Sequence, residues 1–265
     1  MKNLIFILSF AFLFSCSKPE DNQPSNSNVK LLKSVIETGE TYGSFSSYHY
    51  ENNILTKVNY GELNNSMAIQ QLGYENNKLI KIAHDDNYAG FGSSNNKAVN
   101  PEDFSYNYNL SSYPVETISY MTSSIFYKSI YRDYTYNLNS QKQITSIVEN
   151  KDLSVEFVYN TTQVTKQKQF DNPPYEYTFT YDDKINPFNV LYTKFGLLDD
   201  YICPLLGQNH IYHFLSPNNI KEVYKNGILR YSFIYQYNDE NQPVSVVAYD
   251  YSTSKTHQYM YTYTN

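Results

Sequence analysis

The chain has 265 residues, a length that fits one large all-β domain or two smaller ones. Its formal charge is −6 and charged residues make up 17 %, against a usual share of about 25 %, which argues against a nucleic-acid binder with its basic face. The long apolar run is confined to the N-terminus, which argues against a helical membrane protein, while 30 Tyr, 15 Phe and abundant Asn point to strands joined by tight turns.

Residues 1–15 read as a signal peptide. Lys2 supplies the positive start, and Leu4 to Phe14 is apolar apart from Ser9. That run is too short for a membrane helix, which takes about 20 residues. It ends Leu13-Phe14-Ser15-Cys16, which resembles the cleavage box of bacterial lipoproteins. The resemblance implies that Cys16 becomes the lipidated N-terminus and holds the protein to a membrane. Ser17 after it resembles lipoproteins sent to the outer membrane, and Lys18 followed by Glu20 and Asp21 resembles a surface-export tether. The expected location is the outer membrane, in its periplasmic or cell-surface leaflet. Residues 16–30 are mostly Ser, Asn, Pro and acid, and are expected to form a flexible tether.

Residues 31–265 read as a single β-repeat domain. Tyr50-Glu51-Asn52-Asn53-Ile54-Leu55-Thr56-Lys57-Val58 is matched by Tyr74-Glu75-Asn76-Asn77-Lys78-Leu79-Ile80-Lys81-Ile82. Weaker copies start at Tyr108, Tyr136, Tyr159, Tyr181 and Tyr237. Each reads as an aromatic strand, a polar turn and an apolar strand, which is one β-hairpin, and the even spacing marks a repeat array. Side chains two apart share a face of a strand. Tyr48 and Tyr50, Tyr106 and Tyr108, and Tyr134 and Tyr136 therefore share faces. So do Tyr177, Phe179 and Tyr181; Phe233, Tyr235 and Tyr237; and Tyr259, Tyr261 and Tyr263. Glu176, Thr178, Thr180, Ser232, Gln236, Thr262 and Thr264 fall on the other face, with Ile234 and Met260 as apolar exceptions.

Eight hairpins imply about sixteen strands, more than an open twisted sheet usually carries. The expected fold is all-β: an antiparallel meander rolled into a barrel or a strongly curved sheet. A lipid-spanning barrel confines Tyr to its rims, whereas here Tyr runs through whole strands. Two regions break the period. His84 to Asp103 reads as a long exposed loop with a helical turn after Asn100. The apolar stretch Phe188 to Ile220 predicts one short helix and a long loop near 189–215 that plugs or caps the sheet.

The hairpins Tyr181-Asp182-Asp183-Lys184-Ile185-Asn186-Pro187-Phe188 and Tyr237-Asn238-Asp239-Glu240-Asn241-Gln242-Pro243-Val244 resemble degenerate YD (Rhs-type) repeats. Across the repeats Asn53, Asn77 and Asn186 stand where glycine is usual. The whole of Leu31 to Asn265 resembles a family of Bacteroidota lipoproteins of unknown function with a porin-like β-fold. That resemblance implies the fold and brings no catalytic residues.

Chemistry leaves few marks. With Cys16 lipidated, Cys203 has no disulfide partner, and Cys203-Pro204 in an apolar run reads as a buried inert thiol. His210 and His213 are three apart, but Ile211 and Tyr212 suggest a strand, on which they would face opposite ways. No metal site is expected there. Asp85-Asp86, Asp182-Asp183 and Asp199-Asp200 lack a calcium-loop pattern and read as solvated turn acids. The sequence shows no nucleophile elbow, phosphate loop or zinc-protease motif. No catalytic residue and no cofactor is expected. The Tyr stripes read as core, with any exposed Tyr as a platform for a ligand. The expectation is a lipid-anchored, noncatalytic β-scaffold that binds a glycan, a lipid or a protein. A structural envelope component working through protein partners at the 84–103 loop is the alternative, and a hydrolase of unknown class the third.

Overall fold

The computed structural model describes residues 30–39, 43–63, 66–85, 115–128, 133–198, 202–207 and 211–264. The signal peptide, Cys16, the tether up to residue 29, Tyr106, Tyr108 and His210 lie outside them.

Sixteen strands follow one another around a closed barrel. β1 (Leu32–Thr38), β2 (Ser44–Glu51), β3 (Ile54–Glu62), β4 (Ser66–Glu75) and β5 (Lys78–Asp85) open it. β6 (Val115–Tyr120), β7 (Ser124–Lys128), β8 (Asp133–Leu138), β9 (Ile144–Glu149) and β10 (Asp152–Asn160) continue the meander. β11 (Gln163–Gln169), β12 (Tyr175–Ile185), β13 (Asn218–Lys225), β14 (Ile228–Tyr237), β15 (Pro243–Asp250) and β16 (Lys255–Tyr263) complete it. All neighbours are antiparallel, and β16 closes on β1 with Val35 opposite Tyr261. Side chains lock that seam: Ser34 and Thr262 hydroxyls meet at 2.7 Å, and His257 Nδ1 lies 2.5 Å from Glu37 Oε1. Closure leaves no unpaired edge. Among the described residues every strand and every member of the main core cluster lies between Leu31 and Tyr263, so the piece Ser17–Asn265 carries all sixteen strands of the barrel.

Local chemistry sets the hairpins. Asn52 and Asn53, and Asn76 and Asn77, have φ between 50° and 61°. That is the left-handed conformation of a two-residue hairpin turn, which Asn tolerates better than other non-glycine residues. The loop expected from His84 starts later, because His84 and Asp85 end β5; its remainder falls among residues not described.

The aromatic stripes face inward. Tyr177, Phe179, Phe233, Tyr259 and Tyr261 are buried in one core, and Tyr181, Tyr235 and Tyr263 pack against it. The polar face points outward. Lys166 Nζ meets Glu176 Oε2 at 2.9 Å, Lys168 Nζ meets Glu156 Oε2 at 3.3 Å, and Thr180 donates to Glu222. Over β10 to β13 the outside is thus built for water, whereas a lipid-facing band is apolar at mid-depth. Leu153 and Val158 are the exposed apolar residues on that sector, and Ile234 (71 % exposed), Val247 and Met260 are exposed apolar residues on β14, β15 and β16.

The lumen is filled by the segment between β12 and β13. α1 (Pro187–Phe195) buries Phe188, Leu191 and Phe195. The chain then runs to the far rim, where Ser44 Oγ donates to Pro204 O and Tyr48 Oη donates to Ile202 O. α2 (Tyr212–Leu215) brings it back. Two short helices therefore replace the single one expected, and the plug is real. Tyr212 and His213 are helical rather than extended, because Tyr212, Phe214 and Leu215 find partners on every side inside the barrel. The hairpin expected around Asn186 is also absent. Asn186 caps α1 instead, accepting from Phe188 N at 3.0 Å while its Nδ2 donates to His213 O and Ser216 O. It ties both ends of the plug together at 4 % exposure. Asn186→Ala is expected to cost about 2–4 kcal/mol, from a lost cap and two orphaned carbonyls. Asn186→Asp should cost more, since it aims an acceptor at acceptors. Chemical denaturation of the three proteins checks the order.

Candidate functional site

In this meander the even-numbered strands end, and the odd-numbered strands begin, on one rim. The chain also enters there, at Lys30, and leaves there, after Thr264. Seven of the eight even strands place a Tyr at or near their last inward position on that rim: Tyr50, Tyr74, Tyr120, Tyr159, Tyr181, Tyr237 and Tyr263. The eighth, β8, has Leu138 there. Five of the tyrosines that start a repeat, Tyr50, Tyr74, Tyr159, Tyr181 and Tyr237, stand in this girdle, whereas Tyr136 is in the core. Four hydroxyls donate to a backbone carbonyl of the preceding strand: Tyr50 to Leu32, Tyr159 to Ile144, Tyr181 to Val164 and Tyr263 to Pro243, at 2.6–2.8 Å. Tyr237 donates to the Asp182 carboxylate. Each bond fastens a ring that would otherwise bury a polar group without a partner.

One sector of the rim is not sealed. Between α1 and the ends of β5 to β10 lies a crevice of about 780 Å³, within the size range of small-molecule sites. Its floor is Leu79, Ile144, Phe195 and Leu215, all buried, with Ile125 and Leu138 beside them. Tyr120, Tyr159 and Tyr192 border it. Gly196 ends α1 with φ +71°, and its N–H donates to Tyr192 O. A Cβ there would stand 3.0 Å from the Tyr120 hydroxyl, so the helix end and that ring approach closely because the residue is glycine.

Three lysines line the crevice, and among the described lining residues there is no carboxylate. Lys78 Nζ sits 5.3 Å from the Tyr120 ring centre and Lys194 Nζ 5.5 Å from that of Phe195. Lys142 Nζ donates to Thr122 O at 2.6 Å. Burial, and then the nearby Tyr120 hydroxyl, push the Tyr192 phenol up to about 12. Burial also raises Tyr120 and Tyr159. All three hydroxyls stay protonated at neutral pH and act as donors.

The residues singled out from sequence lie elsewhere. Cys203 is 3 % exposed, buried within the plug. His213 is buried between Phe188, Tyr212 and Phe233. Asp182 is held by Asn219 N and the Tyr237 hydroxyl, so it is a structural acid rather than a solvated one. Among the described residues no three His, Cys, Asp or Glu side chains converge on a point where a metal ion would sit. The stripes Tyr177 to Tyr181 and Tyr259 to Tyr263 are core, while Tyr120, Tyr159 and Tyr192 face open space. Sequence reading missed the crevice because its lysines come from a hairpin, a loop and a helix. The one usable signal was the Tyr that starts each repeat, which at the crevice is Tyr159.

No protein-family model matches the chain, and no curated protein matches it. Solved structures do. A porin-like protein from Bacteroides uniformis aligns over 89 % of this chain and 96 % of its own, with a TM-score of 0.51 and 14 % identity. A porin-like protein from Bacteroides vulgatus aligns over 89 % of this chain and 99 % of its own, with a TM-score of 0.39 and 11 % identity. At such identity the first likeness is one of architecture: the chain shares the porin-like β-barrel fold.

Proposed function

We propose that this is a lipid-anchored protein of the bacterial cell envelope whose barrel is a noncatalytic scaffold that holds a ligand in the rim crevice. The observation that carries the reading is the crevice itself. The plug fills the lumen, and between α1 and the ends of β5 to β10 an apolar floor edged by lysines and phenols lies open. Leu13-Phe14-Ser15-Cys16 supports the anchor, Ser17 supports the outer membrane, and the one-Tyr-per-hairpin girdle supports descent from YD-type repeats. The charged outer face over β10 to β13 favours a barrel tethered to a membrane over one that spans it.

Two measurements test it. Cys16→Ala is expected to move the protein from the membrane to the soluble fraction; persistent membrane association would defeat the anchor. A thermal-shift screen of Ser17–Asn265 with glycans, fatty acids, haem-type ligands and calcium is expected to show a specific hit. A ligand at about 100 times its Kd stabilises the fold by roughly 2.7 kcal/mol. The hit should vanish in Thr193→Trp, which fills the crevice from the exposed side of α1. A hit unaffected by that change, or polymer hydrolysis lost on removal of one carboxylate, would defeat the reading.

A further inference from the structure

We infer that the crevice takes an anionic amphiphile of the fatty-acid type, one acidic head on an acyl body. The inference rests on the ligand-holding reading above and names the ligand class. Three features of the site converge on it.

The first is the division between floor and edge. The apolar floor has buried Leu79, Ile144, Phe195 and Leu215 at its base, and the partly exposed Ile125 and Leu138 with the rings of Tyr120, Tyr159 and Tyr192 carry the apolar surface that faces the opening. A sugar would leave that floor without a match, whereas an acyl chain covers it.

The second is charge. The whole chain carries more acids than bases, yet the crevice gathers Lys78, Lys142 and Lys194 with no described carboxylate among them. Two of these ammonium groups rest over aromatic rings and the third on a carbonyl. A ligand carboxylate would be a stronger partner than either. The Tyr120 and Tyr192 hydroxyls add two donors that, unlike those of Tyr50, Tyr159, Tyr181 and Tyr263, have no acceptor among the described residues. Ammonium and phenol groups together present donors and positive charge to a ligand of acceptors.

The third is position. Lys30 lies on the same rim, fixed by Gln242 Nε2 donating to its carbonyl at 2.7 Å and by its ammonium meeting Glu240 at 3.0 Å. Cys16, the proposed anchor, lies only fourteen residues before Lys30 in the sequence. An anchored barrel therefore keeps this rim within reach of a membrane surface, the place where such amphiphiles reside.

The test measures binding to Ser17–Asn265 by thermal shift and by calorimetry. The probes are palmitate, hexadecanol as the same body without the charge, acetate as the head without the body, and polygalacturonate as an acidic glycan. Palmitate is expected to bind at least about tenfold tighter than hexadecanol, with acetate silent, and to weaken several-fold as salt screens the lysines. In K78Q/K142Q/K194Q, three exposed changes, palmitate affinity should fall about tenfold while hexadecanol binding and the Tm of the free protein stay the same. Equal binding of palmitate and hexadecanol, or no effect of the triple change, would overturn the inference. Polygalacturonate binding lost in Thr193→Trp with palmitate silent would overturn the ligand class and leave the ligand-holding reading standing. Silence from every probe and from the wider screen would overturn both.

Discussion

Phe179→Ala is expected to destabilise the barrel by about 3–5 kcal/mol, the usual cost of emptying a buried phenyl site. The ring is 9 % exposed in the middle of β12. Its centre lies 4.7 Å from that of Tyr212 in the plug and 6.4 Å from that of Tyr181 on its own strand. Tyr212 is itself fully buried and also meets Tyr177 at 5.9 Å. Removing Phe179 therefore leaves a hole between wall and plug, and the plug cannot close it without shifting α2. The midpoint of denaturant unfolding reports the loss, with the slope unchanged if the native state stays compact. A loss below about 1 kcal/mol would place the aromatic face in water and make the stripes a surface rather than a core.

Alkaline pH is expected to unfold the protein steeply. Tyr212, Tyr259 and Tyr261 are all at most 5 % exposed, and burial raises each phenol above its ordinary value of 10.0. Burial also raises Tyr50, Tyr74, Tyr159, Tyr181 and Tyr263 around the girdle. Above pH 10 the unfolded chain releases these protons and the folded chain keeps them, so stability falls as pH rises. The contribution is fully present below pH 10 and is lost progressively above it. Each deeply buried phenol removes about 1.4 kcal/mol per pH unit. Three of them remove about 4 kcal/mol per unit, against a total stability of roughly 5–15 kcal/mol for a typical domain. Phenolate absorbance and circular dichroism should change together in one cooperative transition. Smooth phenolate titration near pH 10 with the fold intact would show that the rings are solvent-exposed.

The strand count, the turns and the inward and outward faces were legible in the sequence because each depends on neighbours a few residues apart. Alternation alone sends Phe179 and Tyr181 to one side and Thr178 and Thr180 to the other. Asn52-Asn53 and Asn76-Asn77 adopt the left-handed turn by their own conformational preference. What only the tertiary structure decided depends on contacts across the whole chain. Closure needs β1 to meet β16, residues more than 200 apart, once the twist of fourteen intervening strands has accumulated. The plug explains why Asn186 leaves the hairpin pattern and why Tyr212 and His213 coil into a helix. An apolar segment enclosed on all sides satisfies its backbone within itself and its side chains against every wall. The crevice was the least legible feature. Lys78, Lys142 and Lys194 have no common signature in sequence, and they become one site only where α1 lies across the rim and leaves a sector of the Tyr girdle open.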